Sequence, residues 1–363
     1  MGACATIVHA VASPLLLSSM EIYKTRSQIG AVETCVYILL KLPDHPYASW
    51  FSLRTRPNNQ NRRKPSWFSL WTKPNIGFKR DSSGFSIVPI PSSSADLNHM
   101  GTVGPEIYIT YGSYNKESSS VRIFDCRSHT WRDASNMTMA RRYANTVLLD
   151  EKIYVMGGCN IDKYNANWID VFDIKSQSWS ALPGPGADEG VLLNHLSEYY
   201  DYIVYALQGK IYVETVDKDY TYEPKNGTWK LVREKSSSIS DSILALCEMG
   251  NVVYCCTDTG VLMWCGFGIE GREWREIKGL EKLSTRGLKK GSHFALVGCG
   301  GQLLVMWDPY PNSRIKHNKI WYAKISLKSR CNGREVWGNV ECVDVLTFPV
   351  ESHEWFECFA ASV

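Results

Sequence analysis

Few stretches of this chain carry residues that could do covalent chemistry. Gly266-Phe-Gly-Ile-Glu-Gly271 spells G-x-G-x-x-G directly after the apolar run Val261 to Cys265. A dinucleotide site would need a helix next, whose N-terminal N–H groups meet the pyrophosphate. Arg272-Glu-Trp-Arg-Glu-Ile-Lys-Gly279 follows instead and reads as a Trp-bearing strand, so a glycine-rich hairpin is expected. The eight histidines, at 9, 45, 99, 129, 195, 293, 317 and 353, form no H-x-x-x-H pair, and no Cys/His cluster has ligand spacing. No G-x-S-x-G elbow occurs, which argues against a serine hydrolase. The expectation is no catalytic residue, no metal and no cofactor.

Binding chemistry has better candidates. Arg141, Arg142 and Tyr143 put two cations and an aromatic ring just before an apolar strand, Ala144 to Leu149. Asp188 and Glu189, and Lys289 and Lys290 with His293, hold comparable positions. Each group reads either as a partner contact or as a solvated loop. Eight Lys or Arg and no acid lie between Arg54 and Arg80, and Arg62-Arg63-Lys64 is read as a solvated basic loop.

Composition narrows the partners. A net charge of +3 is too small to argue for nucleic acid. No window approaches the roughly 20 apolar residues of a membrane helix, so no membrane partner is expected. The 12 Cys lack C-x-x-C pairs and several sit inside apolar runs, which reads as reduced thiols of a cytoplasmic or nuclear protein. Met1-Gly-Ala-Cys-Ala-Thr6 fits an acylation pattern, but an unstructured N-terminus explains it as well.

The elements that must position these groups recur along the chain. An apolar strand with a Tyr (Tyr108, Tyr154, Tyr212, Tyr254) leads to a second strand, a tight turn and a Trp. Asp125 opens the turn before Trp131, and Asp173 the turn before Trp179; Trp229 and Trp274 close later copies. Gly157 and Gly158 end one Tyr strand. A period of about 45 to 50 residues with several short strands is that of a propeller blade. A single blade cannot bury both faces, whereas radial packing can. The Trp residues are therefore expected in the wedges between blades, and the Tyr, Asp and Gly positions as scaffold. Ser49-Trp-Phe-Ser-Leu recurs as Ser66-Trp-Phe-Ser-Leu70, a tandem copy of which one should take the sheet position.

The Asp-x-x-x-x-x-Trp spacing and Tyr154-Val-Met-Gly-Gly158 resemble kelch repeats. With Glu21-Ile-Tyr-Lys-Thr-Arg-Ser27, Glu33-Thr-Cys-Val-Tyr37, Trp50-Phe51, Pro57-Asn58, Val88-Pro-Ile-Pro91, Trp337-Gly338 and Phe359-Ala-Ala-Ser-Val363, the chain resembles the plant F-box/kelch-repeat proteins over nearly its whole length. That resemblance implies an N-terminal F-box that docks on the adaptor of a cullin-type (SCF) ubiquitin ligase. It also implies a propeller that selects the protein to be ubiquitinated. No Leu-Pro-x-Asp/Glu opening precedes Met20, so residues 1–30 are expected to be an F-box remnant or linker and residues 31–363 the propeller.

The expected fold is an all-β, six-bladed kelch propeller of four-stranded antiparallel sheets. Its blades would span roughly 33–91, 102–139, 144–183, 198–232, 242–279 and 291–327, with 336–361 helping closure. The expected function is non-enzymatic protein binding, as substrate receptor of the ligase if an F-box is supplied. A ligase-independent scaffold is the alternative. A reading from another class is an axial copper-radical oxidase of the kind some kelch propellers are, in which His195, His293 and a Tyr would have to meet.

Overall fold

The run Val36 to Leu40 has every side chain at 1% exposure or less. A strand can be buried on both faces only if something packs on each. In the computed structural model that something is a neighbouring blade. Val36, Ile38 and Leu40 pack with Ala295, Leu304 and Met306. Tyr37 and Leu39 point the other way and pack with Ile107 and Ile109. The two-residue alternation of a strand thus serves two hydrophobic cores at once. The structure describes residues 34–43, 45, 48–55, 85–90, 97–111, 117–142, 144–159, 169–182, 202–215, 218–234, 243–266, 273–284, 288, 293–308, 310 and 317–363.

Six four-stranded antiparallel sheets form a closed ring, a six-bladed β-propeller. The first blade holds β1 (Thr34–Lys41), β2 (Ser49–Thr55) and β3 (Phe85–Ile90). The second holds β4 (Leu97–Val103), β5 (Glu106–Tyr111), β6 (Val121–Asp125) and β7 (Thr130–Asp133). The third holds β8 (Asn145–Leu149), β9 (Lys152–Met156), β10 (Ile169–Asp173) and β11 (Ser178–Leu182). The fourth holds β12 (Tyr202–Leu207), β13 (Lys210–Thr215), β14 (Lys218–Glu223) and β15 (Thr228–Glu234). The fifth holds β16 (Ile243–Met249), β17 (Val252–Thr257), β18 (Leu262–Gly266) and the short β19 (Arg275–Glu276), followed by one helical turn, α1 (Glu281–Ser284). The sixth holds β20 (His293–Cys299), β21 (Gln302–Asp308), β22 (Lys319–Arg330) and β23 (Glu335–Thr347). The last strand, β24 (Trp355–Ser362), returns to the first blade and pairs with β1 from Thr34↔Ser362 to Lys41↔Trp355.

The expected ring and blade number hold, with two corrections at the end of the chain. Residues 336–361 do not act together in closure. β23 is the outer strand of the sixth blade, paired with β22 from Lys319↔Thr347 to Arg330↔Glu335, and β24 alone closes the ring. The sixth blade therefore runs past the expected 327. The cause is a long hairpin whose turn residues Cys331, Asn332 and Gly333 all have positive φ. The Ser49-Trp-Phe-Ser-Leu copy occupies β2; the second copy, from Ser66, lies outside the described residues.

The core divides into six clusters, one at each blade interface. Each repeat Trp packs back on the blade before it. Trp131 meets Trp50 of the first blade edge-on at 5.4 Å. The Trp179 indole N–H donates to Ser135 O at 2.8 Å. Trp229 joins the cluster of Tyr154 and Met156, and Trp274 meets Tyr205 at 5.8 Å. Asp125 and Asp173 accept turn N–H groups, Arg127 N at 2.9 Å and Lys175 and Ser176 N at 3.0 Å. Tyr108 and Tyr154 are buried, and burial is the chief cause that raises each phenol to a pKa of about 12. Tyr212 stacks on Tyr205 at 5.5 Å, and Tyr254 is buried in the cluster joining the fifth and sixth blades. No helix among the described residues is long and apolar enough to cross a membrane.

Candidate functional site

The innermost strands β24, β4, β8, β12, β16 and β20 stand side by side around the axis. They line a channel of about 1060 Å³. In an antiparallel blade, the connections from second to third strand emerge at the same end as those to the next blade. Of the candidate binding residues the structure describes, Arg141 and Arg142 belong to a connection of that end and His293 to the strand end beside it.

Arg141 lies in the crossover from the second to the third blade. It is neither a solvated loop residue nor open to a partner: it is 2% exposed. Its Nε and Nη2 donate to Asp170 Oδ2 at 3.2 and 3.1 Å, and its Nη1 donates to Gly157 O at 2.7 Å. Asp170 is also buried and accepts from Thr138 Oγ1 and the Met139 N–H. A charge this deep persists only when paired and hydrogen-bonded. Arg141 thus locks the crossover to the blade it enters.

Gly157 and Gly158 complete that lock. Both have positive φ, 70° and 66°, which favours glycine. A side chain at Gly158 would place its Cβ 2.2 Å from Arg142 O. The close approach allows the Arg142 N–H to donate to Gly158 O at 2.6 Å. Arg142 itself is exposed. Tyr143, Asp188, Glu189, Lys289 and Lys290 lie outside the described residues, as does His195 of the oxidase reading.

His293 opens β20 and lies opposite Asp308, the last residue of β21. Partial desolvation lowers its pKa against the pull of the Asp308 carboxylate. Two residues that the sequence reading did not single out complete this corner. His317 Nε2 lies 3.2 Å from Asp308 Oδ1, and His353 Nε2 lies 3.4 Å from Asp308 Oδ2. The two imidazoles meet edge-on with centroids 5.1 Å apart. Burial works to raise the Asp308 pKa, but His353 beside it, the Tyr310 N–H bond at 2.7 Å and His317 outweigh this and hold it below the ordinary value.

Backbone bonds fix the two loops that bring these histidines together. Asn318 Nδ2 donates to Phe348 O at 2.8 Å and to Val350 O at 2.9 Å. The Phe348 N–H donates to Asn318 O, and the His353 N–H to His317 O. The Glu354 N–H donates to Lys41 O, so the corner sits at the seam between the sixth and first blades. No spacing rule finds it, because its members come from a strand end and from two loops on either side of a long hairpin.

Comparison with known proteins agrees with the propeller fold. The family model described as "FKB95, Kelch-repeats domain" matches residues 67–347. An F-box/kelch-repeat protein of Arabidopsis thaliana is 38% identical over 368 residues, covering 96% of this chain and 85% of that protein. Two others from the same plant are 35% and 36% identical, each again over 96% of this chain and 84% of the relative.

Proposed function

The chain belongs to the plant F-box/kelch-repeat proteins, and from that premise we propose that its propeller is a non-enzymatic protein-binding module serving as the substrate receptor of a cullin-type ubiquitin ligase. One observation carries the binding reading. Six inner strands bring the connections of six blades to one mouth of a common channel. Several loops presented to one partner make a composite surface, and such a rigid frame with variable connections is how function is commonly mounted on a fold. Arg142, exposed at that end beside the buried Arg141–Asp170 lock, is the described residue best placed to touch a partner.

In this reading the bound partner is a protein. The propeller positions it, other ligase subunits perform the transfer, and docking on the ligase adaptor belongs to an F-box rather than to the blades. The setting is the cytoplasm or nucleus, which suits cysteines that lie outside disulfides, among them Cys126, Cys255 and Cys256 in the core.

The test is a pull-down with the ligase adaptor and proximity labelling from the propeller. Fusion to a working F-box should confer adaptor capture and reduce the steady-state level of proteins labelled by the propeller. An Arg142→Glu chain should lose some of those labelled proteins while staying folded. If the fused chain captures adaptor but alters no labelled protein's abundance, the propeller is a ligase-independent scaffold. If Arg142→Glu leaves the labelled set unchanged, the partner surface lies elsewhere.

A further inference from the structure

We propose that Asp308, His317 and His353 form a binding site for a divalent transition-metal ion of the zinc class, and that the ion pins the seam where the ring closes.

One ligating atom from each residue lies within 4.8 Å of the others. Two imidazoles and a carboxylate are a donor set that zinc takes, with three protein ligands and one open position. At metal–ligand bonds of about 2.0–2.1 Å, two donors of a tetrahedral zinc lie about 3.3 Å apart. His317 Nε2 lies 3.2 Å from Asp308 Oδ1 and His353 Nε2 3.4 Å from Oδ2, so the two imidazoles face the two oxygens of one carboxylate at about that spacing.

Burial sharpens the case. The His353 side chain is 0% exposed and Asp308 3%, yet among the described residues neither ring nitrogen of His353 meets a partner within hydrogen-bond geometry. His317 Nδ1 is likewise buried without one. Leaving a buried polar group unsatisfied is costly, so His353 Nε2 beside a carboxylate is suited to a shared cation. A cation between the two groups would satisfy Nε2, whose 3.4 Å approach to Asp308 Oδ2 is long for a hydrogen bond.

The site is held before any ion arrives. Asn318 bridges the two loops, and the His353 amide is bonded to His317 O. His353 lies between β23 and β24, so an ion held there couples the sixth blade to the strand that completes the first.

The experiment uses the full chain, stripped with a chelator and titrated with Zn²⁺ against a chromophoric competitor, with Co²⁺ absorption as a second probe. One equivalent should bind. Asp308→Asn and His317→Ala should each weaken binding by more than about 100-fold, the upper end of what losing a supporting second-shell group costs. Cys331→Ser, at an exposed thiol in the turn at the far end of the β22–β23 hairpin, should bind as the parent does. Zn²⁺ at a hundred times its Kd should shift the folded-to-unfolded ratio about 100-fold in the parent and not in the variants. Should Asp308→Asn fail to fold by circular dichroism, the partly exposed His317 carries the comparison. The proposal is overturned if no stoichiometric binding occurs, or if binding survives both substitutions.

Discussion

Replacing Arg141 with Ala would leave the Asp170 carboxylate at 0% exposure without its cation. Breaking a buried pair from one side costs about 3–5 kcal/mol, so R141A should lower the denaturant midpoint sharply. Arg142→Ala, at an exposed neighbour, should change stability by no more than about 0.5 kcal/mol. Equal effects of the two substitutions would show that Asp170 finds another partner. Glu357, on the innermost strand β24, gives a different kind of test. Burial raises its pKa from 4.5 to about 7, and its Oε2 is buried with no hydrogen-bond partner. A carboxyl whose folded pKa is raised holds its proton in the folded state after the unfolded chain has released it. Its contribution therefore falls as pH rises from about 4.5 to about 7, then levels off. Glu357→Gln should flatten the melting temperature across that window and raise it above pH 7. An unchanged pH profile would mean that water reaches the carboxylate from the channel.

At the scale of strands, what the sequence made legible follows from regularity. Trp131, Trp179, Trp229 and Trp274 could be read because each closes a hairpin of nearly fixed length and fills the same wedge. Trp337 fills the corresponding wedge of the sixth blade. Arg330 lies over its ring at 4.6 Å, and the bonds Lys278 N to Val336 O and Gly338 N to Lys278 O tie its strand to the fifth blade. It escaped the pattern because β22 and β23, 12 and 13 residues long, displace it. The Asp308, His317 and His353 corner escaped for a related reason: it is made by loop convergence, which no period encodes. Arg141 was legible as a special residue but not in its role, since the acid that buries it, Asp170, sits on the third strand of the same blade. Closure offers the decisive test of element order. A chain ending before Trp355 should lose the cooperative melting transition and elute as oligomer or aggregate, because β1 would present an unpaired edge toward the axis. A peptide of residues 355–362 added in trans should restore part of the transition. A truncated chain that melts like the parent would remove β24 from the closing role.

For the molecule as a whole, the six interfacial cores make each blade depend on both neighbours. Unlike an open array of repeats, the ring has no end from which to fray, and a single denaturant transition seen alike by tryptophan fluorescence and circular dichroism is expected. Two separate transitions would show that blades unfold independently.

The joining of β24 to β1 also sets an order in time. Ribosomes add about 5–20 residues per second, so the first blade waits roughly 15–60 s for its inner strand. Throughout that interval the nascent chain carries an apolar, unpaired edge, and holding it apart from other chains is a task for chaperones. A stop codon a few residues before the end of β24 would then be as damaging as one near the middle of the gene, because no earlier point in synthesis yields a closed ring.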